Sequence, residues 1–314
     1  MSDWQLKTPV TLIIFNRPHT TEKVFEAIRQ AKPPKLLVVA DGPRKDKPGE
    51  AEKCQAARAI IDRVDWDCEV IKNYSDVNLG CGRRPSSGFD WTFELVEEAI
   101  ILEDDCVPHP TFFRYCQELL EYYRHDERVM SITGLNIQFA NQRTEDSYYF
   151  SRYTSSWGWA SWRRAWKYFD YEMKSWAEVR EKNLLTHILD DPQVAKSWTQ
   201  TFDFTTNGHD AWDFQWAYAC WLQSGLTIIP NRNLISYIGY SPVDATHTKE
   251  ERGQYNDLPG EAMLFPLKHP QFVVRNREAD DFTQNTYYDY HPSFLKKVNR
   301  KLQKVLGLKY SQSW

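Results

Sequence analysis

The sequence predicts an α/β protein with a three-layer α/β/α sandwich, a mainly parallel central sheet and an elaborated C-terminal half. Three observations support this fold class. Short apolar runs alternate with amphipathic helical segments over about the first hundred residues. The apolar runs are unbroken and rich in β-branched residues, which is typical of strands buried on both faces. Several runs end in polar residues, at the position where open α/β sheets bind ligands.

The first part of the chain supplies most of the predicted sheet. Residues 10–15, VTLIIF, form an unbroken apolar run, and residues 20–31 follow as a helix with Val24 and Ile28 on its apolar face. The same alternation repeats along the chain, and the last apolar run ends in acidic residues at 103–105. The further predicted strands of this part are 35–42, 68–74 and 99–105, and the further predicted helices are 51–64, 87–99 and 111–126.

The second part of the chain is less periodic. Strands are predicted at 128–136 and 226–230, with a helical stretch at 176–190 between them. Residues 147–166 are dense in aromatic side chains without a clear period, and an aromatic-rich helix follows a turn within 205–225. Neither part shows an internal repeat or a low-complexity linker, so we expect one continuous domain rather than two.

The C-terminal segment, residues 291–314, differs from the rest of the chain. Residues 292–310 carry basic side chains and no acidic ones, and their apolar residues recur at helical spacing. Such a helix fits an anionic membrane surface, which would hold the protein peripherally on the inner face of a membrane. It equally fits a terminal helix packed on the domain with its basic face in solvent. The basic residues are Lys296, Lys297, Arg300, Lys301, Lys304 and Lys309.

The composition is that of an ordinary globular protein and excludes one class of partner. Of the 314 residues, 41% are hydrophobic and 26% are charged. A net charge of -4 gives no basic footprint, so no nucleic-acid partner is expected. Without a CxxC pair or a long apolar N-terminal run, we expect reduced cysteines, no signal peptide and a cytoplasmic location. The 13 Trp, 17 Tyr and 16 Phe suit a sugar-binding cleft, although aromatic rings also fill cores.

The acidic triplet that ends the strand at 99–105 is the strongest functional signal. Glu103, Asp104 and Asp105 directly follow the apolar run AIIL. Adjacent carboxylates at a strand end can hold Mg²⁺ or Mn²⁺, because these ions bind through one or two carboxylates together with the phosphates of a substrate. A solvated acidic turn or a helix N-terminus is the alternative for the triplet taken alone. The other polar strand ends favour a metal–diphosphate site.

Two further polar segments follow predicted strands. Asp41 and Gly42 end the second strand, where the carboxylate can accept from a base or a ribose and the glycine lets a ligand approach closely. An ordinary Asp-Gly turn is the alternative. Residues 78–84, NLGCGRR, offer Arg83 and Arg84 to phosphate oxygens, which is a weak pattern when taken alone.

Together these segments resemble the nucleotide-sugar-dependent glycosyltransferases of the Rossmann-like GT-A fold, in a family-2-related group similar to N-acetylglucosaminyltransferase I. The resemblance runs from about Pro9 to His247 and covers FNRP, ADGPR, AIILEDDCVPHPTFFRYC, SSWGWASWRRAW and AWDFQWAYACW. It implies transfer of a hexosyl or N-acetylhexosaminyl group from a UDP-sugar to a hydroxyl of a glycan or lipid-linked acceptor. It also implies one domain over residues 1–290, with a donor half at about 1–125 and an acceptor half at 126–290.

The resemblance further implies roles for individual residues. Asp105 would bind the metal, Asp104 the metal or the ribose, and Glu103 would lie near the donor sugar. Asp213 would be the catalytic base and would invert the anomeric centre. Asp210 is the competing candidate, and a helix N-terminal acid is the alternative for Asp213. The resemblance also implies Arg17 and Asp41 for the donor, Trp212 for the sugar and His247 for the metal. The polar strand ends and the loop 78–84 add Asn16, Gly42, Arg83 and Arg84 as donor candidates. In the aromatic segment, Trp157 and Trp159 are the candidates for acceptor contact, with core packing as the alternative for the tryptophans.

Two departures from the family pattern restrict the prediction. The metal motif is Glu-Asp-Asp rather than Asp-x-Asp, so the roles of the two aspartates could be exchanged. The Gln-x-x-Arg-Trp motif of processive synthases is missing, which argues against a chain-elongating synthase. A sugar nucleotidyltransferase is the nearest enzymatic alternative, but it would carry a glycine-rich loop that LIIFNRPHTTEK lacks. A non-catalytic carbohydrate-binding protein would bind sugar without metal or nucleotide.

Overall fold

The computed structural model describes residues 4–139, 141–239 and 258–288. The strands in these ranges are β1 Val10–Ile14, β2 Lys35–Ala40, β3 Glu69–Tyr74, β4 Glu98–Glu103, β5 Cys106–Pro108, β6 Val129–Thr133, β7 Tyr148–Ser151, β8 Trp159–Trp162, β9 Leu226–Pro230 and β10 Ile235–Tyr237. The helices are α1 Pro18–Ala31, α2 Glu50–Ile61, α3 Gly80–Leu95, α4 Thr111–Tyr122, α5 Arg163–Trp166, α6 Trp176–Glu181, α7 Leu185–Ile188, α8 Pro192–Thr206, α9 Asp213–Leu222 and α10 Arg277–Thr286.

The central sheet confirms the predicted fold class. Its strand order is β3-β2-β1-β4-β8-β6-β9-β7, and β5 and β10 form a separate two-stranded sheet. The four strands of the first part pair in parallel. β8 is antiparallel to β4 and β6, β9 is parallel to β6, and β7 is antiparallel to β9. The sheet is therefore mainly parallel, with β7 and β8 running against the other strands.

Helices cover both faces of this sheet, which makes the three layers. On one face, α1, α2 and α4 bury residues such as Phe25 and Phe112 against Leu12 of β1. On the other face, α3, α5 and α9 bury residues such as Phe89 against Leu37 of β2. Successive strand residues point to opposite faces, so an unbroken apolar strand serves both cores.

Helix α3 begins at Gly80, well before the predicted start at residue 87. Glycine and an internal proline, Pro85, made an early start unfavourable on sequence grounds. Two carboxylates from distant parts of the chain stabilise this first turn. Asp41 accepts from the amide of Gly80, and Asp210 accepts from the amides of the next two residues. Satisfying the exposed amides of a helix N-terminus is the ordinary reason why such caps stabilise helices.

The second part of the chain differs from the prediction in more places. The helix predicted at 176–190 is two short helices, α6 and α7, and α8 was not predicted. The sequence did carry a signal for α8, because Asp191 caps it by accepting from the amide of Gln193 at 2.7 Å and proline follows as the first helical residue. The aromatic stretch 147–166 contains β7, β8 and α5.

The described residues bear on only part of what the sequence predicts about a membrane. Within the described ranges, the helices are too short or too polar to cross a lipid bilayer. The basic segment 292–310 lies outside the described residues, so both interpretations of it remain predictions. None of the six cysteines, which all lie within the described residues, forms a disulfide.

Candidate functional site

The carboxyl ends of β1, β2 and β4 lie side by side at one edge of the sheet. β1 is the middle strand, with Ile14 paired to Ala40 of β2 and Ile13 paired to Glu103 of β4. Because β8 runs antiparallel to β4, the residues that precede β8, including Trp157, also start from this edge. The polar strand ends predicted from the sequence are therefore brought together.

Arg17 bridges the two aspartates of the acidic triplet. Its Nη2 donates to Oδ1 of Asp104 at 2.7 Å, and its Nη1 lies 2.8 Å from Oδ2 of Asp105. Both aspartates are only 3% exposed. Two adjacent carboxylates that lose their solvation are costly to bury unless they are paired, and the guanidinium fork supplies that pairing.

Burial and crowding set the electrostatics of the triplet. Burial raises the pKa of Asp104 to about 6, although the ion pair with Arg17 opposes the rise. Loss of solvation also raises the pKa of Glu103 well above its ordinary value, and the carboxylates of Asp105, Asp104 and Asp213 add to the rise. The charge of Asp213 is the last of these causes, which indicates that the implied base and the triplet are within electrostatic reach of each other.

The two-stranded sheet places an aromatic pair beside Asp105. β10 pairs with β5, the strand that directly follows the triplet, and the amide of Ile238 donates to the carbonyl of Asp105 at 2.8 Å. Tyr237 stacks on Trp157 with ring centroids 4.2 Å apart and an interplanar angle of 4°. Both rings are half-buried. Tyr237 was not predicted from the sequence because no local motif marks it, and only the pairing of β10 with β5 brings it to the site.

Asp210 and Asp213 have different surroundings, which separates the two candidate bases. The carboxylate of Asp210 accepts from the backbone amide of Cys81 at 3.0 Å through one oxygen and from that of Gly82 at 2.8 Å through the other. An acid at a helix N-terminus is also favoured by the helix dipole. Asp213 is exposed at the first position of α9. Asp210 therefore anchors its loop to α3, and this favours Asp213 as the base.

We expect Gly82→Ala to lower the free energy of unfolding by about 1–3 kcal/mol, the usual cost of overpacking. A Cβ at Gly82 would lie 2.6 Å from both Oδ1 of Asp210 and the hydroxyl of Tyr171, and 2.8 Å from the amide of Ala211. In an open helix the same change stabilises, because alanine is the better helix former. Urea unfolding measures the sign, and a stabilised variant would contradict the packing of this loop on α3.

Asp41 and Gly42 make close contacts with the loop that precedes α3 and with the first residue of α3. Oδ1 of Asp41 accepts from the amide of Leu79 at 2.9 Å, and Oδ2 accepts from the amide of Gly80 at 3.1 Å. Burial raises the pKa of Asp41, and these amides act against the rise. A Cβ at Gly42 would collide with the backbone of Val77. The close approach of the loop before α3 therefore requires this glycine, and a contact of Gly42 with a ligand stays a prediction.

The remaining donor candidates, Asn16, Arg83 and Arg84, differ in how far contacts within the protein already occupy their side chains. The amide nitrogen of Asn16 donates to Oε1 of Glu50 at 2.9 Å, in a buried contact. Arg84 is buried and donates from Nε to the last carbonyl of β2 at 3.0 Å. Arg83 is exposed and pairs with Glu172 at 2.6 Å. Arg84 therefore ties the strand ends together, whereas Arg83 stays accessible to a ligand.

Two of the predicted sugar-binding tryptophans lie in the core. Trp159 is 0% exposed and Trp212 is 5% exposed. They stack on each other with centroids 5.4 Å apart and pack against Phe89 and Trp166. Rings with so little exposed surface offer no face to a sugar in this conformation, so the core alternative is favoured for both and we leave them out of the site. His247 lies outside the described residues.

The chemistry of the two aspartates fits a hard divalent cation. Within the described ranges no three His, Cys, Asp or Glu side chains form a metal-binding group. Mg²⁺ and Mn²⁺ nevertheless need only one or two carboxylates when phosphate oxygens and water complete the shell. Arg17 takes one oxygen from each aspartate. Among the described residues, the other oxygen of Asp104 accepts from the amide of Phe15 at 3.3 Å, and that of Asp105 accepts from the thiol of Cys106 at 3.5 Å.

The comparisons with known proteins show distant likenesses in fold. No protein-family model and no curated protein matches the chain. The chain is similar to the S. aureus TarS 1-349 structure with a TM-score of 0.43 and 8% identity, over 73% of this chain but only 59% of that one. It is also similar to mouse xyloside xylosyltransferase 1 in its apo form, with a TM-score of 0.33 and 13% identity, over 68% of this chain and 81% of that one.

A third similar structure is a UDP-glucose pyrophosphorylase complexed with UDP-glucose, with a TM-score of 0.33, 8% identity and coverage of 71% of this chain and 90% of that one. At these identities and TM-scores the likenesses do not bear on the chemistry of the site. The function therefore has to be argued from the residues at the carboxyl edge of the sheet.

Proposed function

We propose that the protein is a GT-A-type glycosyltransferase that moves a sugar from a nucleotide-diphosphate donor, with UDP as the expected nucleotide, to a hydroxyl acceptor. The observation that carries the proposal is the acidic triplet at the end of β4, bridged by Arg17 and neighboured by Asp213. It combines carboxylates for a cation, a guanidinium suited to phosphate and a separate exposed carboxylate for a hydroxyl proton. All of these residues come from segments that resemble GT-A glycosyltransferases.

The donor would lie across the ends of β1 and β4. Asp105, together with Asp104, would hold Mn²⁺ or Mg²⁺, and the bound cation would supply charge stabilisation for the leaving diphosphate. Arg17 would contact the phosphate oxygens, which match the fork of a guanidinium. Glu103 is half-buried and is acted on by the charges of the two aspartates and of Asp213, and it would lie near the donor sugar.

In the transfer step, an oxygen of the acceptor hydroxyl attacks the anomeric carbon while the bond from this carbon to the diphosphate oxygen breaks. Asp213 takes the hydroxyl proton, and the electron pair of the broken bond leaves with the nucleoside diphosphate. Attack from the face opposite the leaving group inverts the anomeric centre. The stacked pair of Trp157 and Tyr237 would offer an aromatic face to a sugar ring. A glycan or a lipid-linked glycan remains the expected acceptor.

Thermal unfolding tests the donor site. We expect the wild-type protein to be stabilised by UDP, rather than by GDP or dTDP, only when Mn²⁺ is present. A ligand at about 100 times its Kd adds about 2.7 kcal/mol to the folded state, which is readily measured. Asp105→Asn removes a carboxylate charge with little change in shape, so we expect the Mn²⁺-dependent shift to be lost.

Asp281→Asn is the matched control, because Asp281 is an exposed aspartate of α10 that pairs only loosely with Arg277. This variant should keep the full shift with UDP and Mn²⁺. No shift with any nucleotide in the wild-type protein would overturn the proposal in favour of a carbohydrate-binding protein. A shift with UTP and a sugar phosphate but none with UDP would favour a sugar nucleotidyltransferase.

A further inference from the structure

We infer that Arg17 is a resident cation that keeps a free divalent metal ion out of the site and admits it only together with a diphosphate. The inference rests on the proposed function, because it concerns the metal and the diphosphate named there. It adds an order of binding: the metal and the nucleotide enter as a pair, and Arg17 moves from the carboxylates to the phosphates when they arrive.

The position of the guanidinium is the first ground for this order. Arg17 reaches one oxygen of Asp104 at 2.7 Å and one oxygen of Asp105 at 2.8 Å, so it already lies where a cation shared by the two carboxylates would lie. A guanidinium stays protonated at any ordinary pH. A divalent cation held by the same carboxylates would therefore stand close to this positive charge. Repulsion between two nearby cations is strong where the carboxylates are as buried as Asp104 and Asp105.

The charge count of the site is the second ground. Asp104, Asp105 and Arg17, the three groups in direct contact, leave one net negative charge between them. A divalent cation added alone to these three groups would reverse their sign and place two cations against each other. A diphosphate that arrives with the cation brings negative charge for both the metal and the guanidinium. Simultaneous binding is therefore favoured over binding of the metal alone.

The space around Asp105 is the third ground. A Cβ at Gly239 would collide with Oδ2 of Asp105 and with the hydroxyl of Tyr237, so the backbone of Gly239 lies directly against both. Arg17 approaches the same carboxylate oxygen. Little room is left beside this oxygen for an additional ion while Arg17 remains in place.

Metal binding without turnover tests the inference. Calorimetric titration with Mn²⁺ alone should show weak binding to the wild-type protein, and saturating UDP should raise the affinity for Mn²⁺ strongly. Arg17→Gln should bind Mn²⁺ alone at least tenfold more tightly than the wild type. In the variant, UDP should raise the Mn²⁺ affinity by a smaller factor. Thermal unfolding should show that the variant is destabilised and that Mn²⁺ alone restores it.

Arg152→Gln is a matched control. Arg152 also bridges two aspartates, with 2.8 Å to Asp190 and 3.3 Å to Asp280, but it takes no part in the proposed site. Its loss should destabilise the protein and leave the Mn²⁺ affinity unchanged. Should Arg17→Gln fail to fold, Arg17→Lys keeps the charge without the fork and should raise the affinity for Mn²⁺ alone by a smaller factor.

The outcomes separate the inference from the proposed function. If the wild type binds Mn²⁺ with UDP but Arg17→Gln and Arg17→Lys bind Mn²⁺ alone no more tightly than the wild type, the inference is wrong and the proposed function stands. UDP binding that needs no Mn²⁺ would also overturn the inference, since Arg17 would then replace the metal. Absence of UDP binding in every variant and in the wild type would overturn the proposed function itself.

Discussion

We expect Asp213→Asn to lower the rate of sugar transfer by a factor of about 10²–10⁴ or more, because a general base typically contributes that much. The amide has nearly the same shape as the carboxylate but cannot take the proton of the acceptor hydroxyl. Asp213 lies near Glu103 and is exposed at the start of α9, so a substrate can reach it. Donor binding should be unchanged, since the proposed metal ligands and Arg17 are untouched. Initial rates with the donor identified by thermal unfolding, together with calorimetric titration of UDP, measure both effects.

Asp210→Asn is the comparison that decides between the two acids. Asp210 accepts from the amides of Cys81 and Gly82 through its two oxygens, and Asn keeps one acceptor, so this replacement should cost less stability than the about 0.5–2 kcal/mol of a fully lost helix cap. It should keep most of the transfer rate at a temperature where the variant is folded. If transfer is lost in Asp210→Asn and retained in Asp213→Asn, then Asp210 is the base and the assignment must be exchanged.

The first half of the sheet was predictable because its signals are local. β1, β2 and β4 each contain an unbroken apolar run, β3 is an apolar run interrupted by polar residues, and each of the intervening helices has its own apolar face, so no knowledge of distant contacts was required. The same locality explains why the polar strand ends could be identified as a site. Parallel strands joined by helices carry their carboxyl ends to one edge, whatever the details of the loops.

The second half could not be predicted to the same extent because its order depends on distant partners. β8 inserts between β4 and β6 in antiparallel orientation. No sequence feature within 147–166 indicates that β8 pairs with these two strands. The start of α3 depends on Asp210, which is far along the chain. Tyr237 reaches the site only through the pairing of β10 with β5. For the same reason Gly42 was assigned to a ligand, although the backbone of Val77 occupies the space beside it.

The aromatic residues show why residue type alone is a poor guide to a sugar site. Trp157 and Trp159 are two residues apart in one segment, and no feature of the sequence distinguishes them. The strand makes them different, because Trp159 enters β8 and points into the core, whereas Trp157 stays before the strand at the edge. One experiment on this pair tests the distinction.

We expect Trp159→Ala to lower the free energy of unfolding by about 3–5 kcal/mol, the usual cost of removing a large aromatic ring from a core. The ring is fully buried and contacts Phe89, Trp212 and Trp216 at centroid distances of 5.3, 5.4 and 5.9 Å. Urea unfolding with an unchanged m-value measures the loss. Trp159→Phe should be milder, because it keeps most of the apolar volume and Nε1 of Trp159 makes no hydrogen bond with the described residues.

Trp157→Ala should behave in the opposite way. Trp157 is half-buried and stacks on Tyr237, so its loss should cost about 0.5–1.5 kcal/mol of stability beyond the small apolar area it buries. Because the stacked pair borders Asp105, the same change should also weaken binding of a donor or acceptor sugar. The loss of binding free energy should exceed the loss in the free energy of unfolding. If Trp159→Ala keeps its stability and loses sugar binding instead, then Trp159 belongs to the sugar site and its ring is not part of the core beneath α3 and α9.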